Sequence, residues 1–117
     1  MPLYVMLTRV TPDETSPEEM ERLELRVNEK IKSECPQTEW LYNLAVLGPF
    51  DYLDIFEAPD SNSAFKVSTI VRSFGHAHTE VWPAVEWKFF KGILKGLSRN
   101  EKIRITFGEG IGEKEIE

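Results

Sequence analysis

The chain has 117 residues, 14 Lys+Arg against 20 Asp+Glu, and a formal net charge of −6. With 41% hydrophobic and 29% charged residues it has the size and composition of one globular domain, which excludes a disordered or fibrous chain. No apolar run reaches the roughly 20 residues of a membrane span, the lone Cys35 excludes a disulfide-built fold, and the acidic balance argues against general nucleic-acid binding.

Leu3 to Val10 is a nearly continuous apolar run of strand formers and reads as a central strand buried on both faces. The start, Met1 to Arg9, has neither a basic n-region nor a small-residue cleavage site, so a cytoplasmic protein without a secretory leader is expected. After the breaker cluster Thr11 to Thr15, Ser16-Pro17-Glu18-Glu19 carries a helix start: Ser16 caps, Pro17 suits the first helical position, and Glu19 completes a capping box. Met20, Leu23, Val27 and Ile31 lay one apolar stripe along that helix, which ends at Cys35-Pro36-Gln37.

Thr38 to Leu47 is a second strand, Gly48-Pro49-Phe50-Asp51 a turn, and Tyr52 to Phe56 a third strand, together a hairpin. In the third strand Tyr52, Asp54 and Phe56 share one face and Leu53 and Ile55 the other. Asp60 caps a second helix with the stripe Ala64, Val67, Val71 and Phe74, and Gly75 marks its left-handed stop. His76 to Val85 is a fourth strand, and Pro83 suggests an edge position. Glu86 to Leu97 is a third helix with Phe89, Phe90, Ile93, Leu94 and Leu97 on its apolar side; Gly92 and Gly96 weaken it, so packing must stabilise it. Lys102 to Phe107 alternates as a short extra strand, and the Gly- and Glu-rich end from 108 to 117 is expected to fray. This divides the chain into a domain at 1–97 and an extension at 98–117.

The order is β-α-β-β-α-β plus a helix. A split βαβ arrangement makes an α+β domain with a four-stranded antiparallel sheet and both main helices on one face. The other sheet face is left apolar and uncovered, and a homodimer with sheets face to face is the economical cover.

The turn Leu47-Gly48-Pro49-Phe50-Asp51 and the following Glu57-Ala58-Pro59-Asp60 resemble the GYD-domain family, as do Pro2 to Leu7 and Gly75 to Glu80. The similarity spans residues 1–90; Gly48 and Asp51 match the naming motif, and Phe50 stands where the family has tyrosine. The resemblance implies a ferredoxin-like fold of the dimeric α/β-barrel kind. That fold serves cofactor-free monooxygenases, muconolactone-type isomerases, haem-dependent enzymes and ligand-sensing domains, and the GYD family itself carries no established reaction to transfer.

Four constellations bear on chemistry. Asp51 either accepts a hydrogen bond from a ligand or caps backbone N–H groups of its own turn. His76, His78 and Glu80 alternate on one strand face as in some metal sites, but no fourth ligand is nearby, and neither metal nor cofactor is expected. Trp40, Tyr42, Tyr52, Phe56, Trp82 and Trp87 either line a ligand concavity or form core and interface. Around such a concavity Asp51, His78, Tyr42, Tyr52, Trp82 and Arg72 are the candidate ligand-binding residues. Lys88, Lys91, Lys95 and Arg99 fall on one side of the last helix; a solvated face accounts for them, and no nucleic-acid or membrane partner is expected. No nucleophile elbow, P-loop, Rossmann glycine pattern or paired-cysteine motif is present. The leading expectation is a small-molecule-binding or scaffolding homodimer. Its rival is a cofactor-free monooxygenase- or isomerase-like enzyme in which His78 or Asp51 moves a proton.

Overall fold

The computed structural model describes residues 1–11, 16–75 and 77–101; His76, the strand expected at 102–107 and the tail at 108–117 lie outside the described residues. In chain order the elements are β1 (Leu3–Val10), α1 (Pro17–Glu34), β2 (Glu39–Ala45), β3 (Tyr52–Glu57), α2 (Ser61–Ser73), β4 (Ala77–Ala84) and α3 (Trp87–Glu101). They fall into two compact units, Met1–Ala84 and Val85–Glu117.

In the first unit the four strands form one sheet in the order β2-β3-β1-β4, every neighbouring pair antiparallel. This is the ferredoxin-like α+β arrangement. β4 lies at an edge, where Pro83 can sit without breaking an interior ladder. The helix ends follow their local chemistry. Ser16 Oγ accepts the Glu19 N–H at 3.2 Å, and Asp60 Oδ1 accepts the Ser63 N–H at 2.8 Å. α1 stops at Cys35, whose N–H reaches the Ile31 carbonyl at 2.7 Å, and α2 is followed by Gly75 at φ 85°, a conformation that L side chains rarely adopt.

The core lies between one sheet face and the two helices. Tyr4 and Met6 of β1 and Phe56 of β3 pack with Ile31 and Cys35 from α1 and its cap, and with Ala64, Val67 and Ile70 of α2. Phe56 and Val67 are fully buried. Phe56 stacks on Tyr4 at 5.7 Å between ring centroids and meets Trp40 at 5.2 Å. Val27, Val71, Phe74 and Val81 close the margin, and the Arg26 guanidinium lies 5.4 Å over the Phe74 ring. Ile70 joins the expected α2 stripe as a buried member while Val71 and Phe74 stay at its rim, because an inward stripe spans more than one row of a 3.6-residue helix.

One irregularity redistributes the aromatics. Trp40 pairs with Phe56 but Tyr42 pairs with Ile55, so β2 spends an extra residue, Leu41, as a bulge. Residues two apart on a regular strand share a face; here the bulge sends Trp40 to the helix-covered face and Tyr42 to the opposite one.

In the second unit α3 begins after Glu86, whose carbonyl accepts the Phe90 N–H at 3.0 Å. It runs four residues past Leu97, to Glu101, despite Gly92 and Gly96. Trp87 and Phe90 meet at 5.6 Å between ring centroids.

Candidate functional site

The sheet face turned away from α1 and α2 carries one apolar row and a second that is apolar except at its β4 end. Tyr42, Ile55, Val5 and Trp82 are cross-strand partners in one row, and Leu44, Leu53, Leu7 and Glu80 in the next. Tyr42, Leu44 and Trp82 are exposed at 60%, 47% and 50%, while Val5, Leu53 and Ile55 are half-buried. Glu80 brings charge into the second row, Arg9 faces His78 beyond it, and Glu57 faces Glu39 beyond the first.

The sequence-predicted residues do not meet at one point. Tyr42 and Trp82 share a row but sit on opposite edge strands, three strand spacings or about 14 Å apart. The Trp82 indole Nε1–H donates to Glu80 Oε1 at 3.2 Å, which orients the ring along its own strand. His78 is exposed on this same face. Tyr52 lies on the helix-covered face opposite Thr8 and Ala45, and Arg72 is exposed in the last turn of α2.

Asp51 ties three segments together. Its carboxylate Oδ2 accepts the Val10 N–H at 2.7 Å, its own N–H donates to the Thr8 carbonyl at 2.8 Å, and its carbonyl accepts the Val46 N–H at 2.9 Å. The carboxylate thus satisfies an amide at the end of β1, a structural task across the sheet and outside its own turn. Gly48, at φ 154°, allows the preceding chain reversal, and Phe50 is half-buried beside it.

A carboxylate that sequence reasoning passed over is Asp54. It lies on the helix-covered face in the row Asn43, Asp54, Met6 and Val81, and accepts the Asn43 Nδ2–H at 2.7 Å. Burial pushes its pKa up, the Asn43 amide opposes that shift, and the negative charge of Glu24 adds to it. The signal was available: an aspartate between Tyr52 and Phe56 on the strand face that also carries the core aromatic. In the adjoining row Thr8 and Thr79 are buried, with the Thr79 hydroxyl hydrogen-bonded to Ser68 at 2.5 Å.

Cys35 borders a small hollow of about 140 Å³ with Glu34, Pro36, Gln37, Thr38, Pro59 and Ser63. Burial raises the thiol pKa against the opposing positive charge of Lys66, so the neutral, unreactive form dominates. Glu34 is held low by hydrogen bonds from Lys66 and Lys30, at 3.2 and 3.3 Å. Among the described residues no three His, Cys, Asp or Glu side chains converge as a metal site. His78 and Glu80 share the open face, and His76 lies outside the described residues.

On α3, Lys88, Lys91 and Lys95 are exposed, and Glu86, Lys88, Phe89, Gly92 and Ile93 border a shallow, mainly apolar hollow.

Among curated proteins no relative matches. The fold is similar to that of the solved protein SCO4226 from Streptomyces coelicolor A3(2), at 13% identity and TM-score 0.45, over 71% of this chain and 96% of that one. It is also similar to the hypothetical protein ORF119 from Sulfolobus islandicus rod-shaped virus 1, at 9% identity and TM-score 0.46, over 92% of this chain and 87% of that one. The pattern that defines the GYD domain matches residues 4–94, from the second residue of β1 through both covering helices and β4 into α3. The chain belongs to the GYD-domain family.

Proposed function

We propose that this chain works in the cytoplasm as a homodimer joined through its open sheet face, binding a small apolar or aromatic molecule without catalysing its conversion. The observation that carries the reading is the row Tyr42, Ile55, Val5 and Trp82 with its neighbours Leu44 and Leu53, on a face that neither α1 nor α2 covers. Contiguous apolar surface of this extent is uncommon on a free monomer. Tyr42 and Trp82 at the two edges give a second copy, or a flat ligand at the seam, aromatic anchors with a polar tip. Sedimentation equilibrium at micromolar concentration tests the assembly. A dimer that Tyr42→Ser with Trp82→Ser converts to a folded monomer supports it, and a monodisperse wild-type monomer overturns it. Saturable thermal stabilisation by an aromatic metabolite, lost in the same double variant, tests the binding role.

The rival enzymatic reading is supported by Asp54 alone, a partly buried carboxylate with a raised pKa and an adjacent hydrogen-bond donor. It predicts solvent-proton exchange into an enolisable aromatic substrate that Asp54→Asn abolishes.

A further inference from the structure

The α3 segment separates its side chains in a way that neither a buried helix nor a solvated one requires. At about 100° per residue, Phe89, Ile93 and Leu97 fall within an arc of about 80°, and Lys88, Lys91 and Lys95 within an arc of about 60°. Gly92 and Gly96 lie between the two strips, and Trp87 borders the lysines from the other side. Leu94 is buried and Phe90 half-buried, but Trp87, Phe89, Ile93 and Leu97 stand exposed at 62%, 64%, 44% and 44%. Positions 87–97 hold three lysines and no acidic residue, in a chain whose net charge is −6.

We propose that α3 is an interfacial helix that docks the protein on an anionic lipid bilayer, with Phe89, Ile93 and Leu97 in the acyl boundary and Lys88, Lys91 and Lys95 on the headgroup side. Two observations favour lipid. An exposed Phe, Ile and Leu strip with lysines on the opposite side of the helix is the pattern of an interfacial helix on a negatively charged surface, whereas a nucleic acid would leave that strip in water. Two glycines make the helix intrinsically weak, so burying its apolar strip is the available source of stability. The 15 residues of α3 reach about 22 Å, and no described helix is long and apolar enough to cross a membrane, so the helix lies on the surface. Span length does not bear on a helix of this kind, and the acidic excess of the chain lies outside positions 87–97.

Co-sedimentation of the full chain with vesicles tests the proposal. Vesicles of phosphatidylglycerol and phosphatidylcholine should pellet the protein with a partition coefficient at least about tenfold above pure phosphatidylcholine, and added salt should weaken the binding. Phe89→Ser with Ile93→Ser, and separately the triple change Lys88→Gln, Lys91→Gln and Lys95→Gln, should each lower that coefficient about tenfold or more while circular dichroism stays unchanged. These positions are exposed, so the fold is expected to survive. If the Ser variant unfolds, the Gln variant decides alone. The proposal is overturned if wild-type protein stays in the supernatant with anionic vesicles at low salt, or if both vesicle types bind equally. It is also overturned if a nucleic-acid duplex or self-association claims the strip without vesicle binding. Loss of the sheet-face dimer would leave these outcomes untouched.

Discussion

The Asp51 carboxylate and the Val10 amide, 41 residues apart in sequence, meet at 2.7 Å and close the seam between the hairpin and β1. The bond is charge-assisted, and no neighbouring strand residue pairs with Val10 from the β3 side, where the ladder ends at Thr8 and Tyr52. Asp51 therefore anchors the turn that carries the family's Gly48 and Asp51 to the central strand.

Asp51→Ala is expected to destabilise the protein by about 1–2 kcal/mol, since a hydrogen bond to a charged group is lost at a solvent-accessible site. Asp51→Asn, which keeps an acceptor oxygen, should recover part of that. Urea denaturation of both variants checks this. Unchanged stability in Asp51→Ala together with lost ligand binding would make the carboxylate a ligand group.

Asp54 predicts an unusual pH dependence. Its folded pKa is raised by burial, so the folded state holds its proton at pH values where the unfolded chain has lost it. Its contribution to stability is therefore best below the ordinary aspartate value of about 3.9 and declines as pH rises through the folded pKa, reaching a constant penalty above it. Asp54→Asn keeps the acceptor for Asn43 and removes the penalty. A gain in stability is expected at neutral pH. Melting curves at pH 7 and near pH 4 should show the gain at the first and not at the second.

Phe56 is the aromatic hub, with no exposed surface and rings on both sides. Phe56→Ala should cost about 3–5 kcal/mol, a large share of the roughly 5–15 kcal/mol that holds such a domain folded. Phe56→Leu, which leaves a smaller void, should cost less. The shift in urea midpoint at constant slope measures both.

Element type and order were legible in the sequence because they rest on short-range chemistry. Ser16 and Asp60 cap helices by reaching three residues along the chain, Gly75 supplies a local φ 85°, and the stripe from Val27 to Ile31 follows from helix period alone. Pro83 pointed to an edge strand for an equally local reason: it has no N–H to give. The candidate site was less legible. A set of six aromatics reads as one surface only if strand alternation is unbroken, and the bulge at Leu41 breaks it.

By itself the sequence determined the βαββαβ order and an acidic chain whose last helix is basic along one side, since each depends on residues near one another. The tertiary structure decided which face each aromatic occupies, that Asp51 serves Val10, and that Asp54 sits against the covering helices. These depend on strand register and on contacts across tens of residues, where shifting the register by one residue exchanges the two faces of a strand.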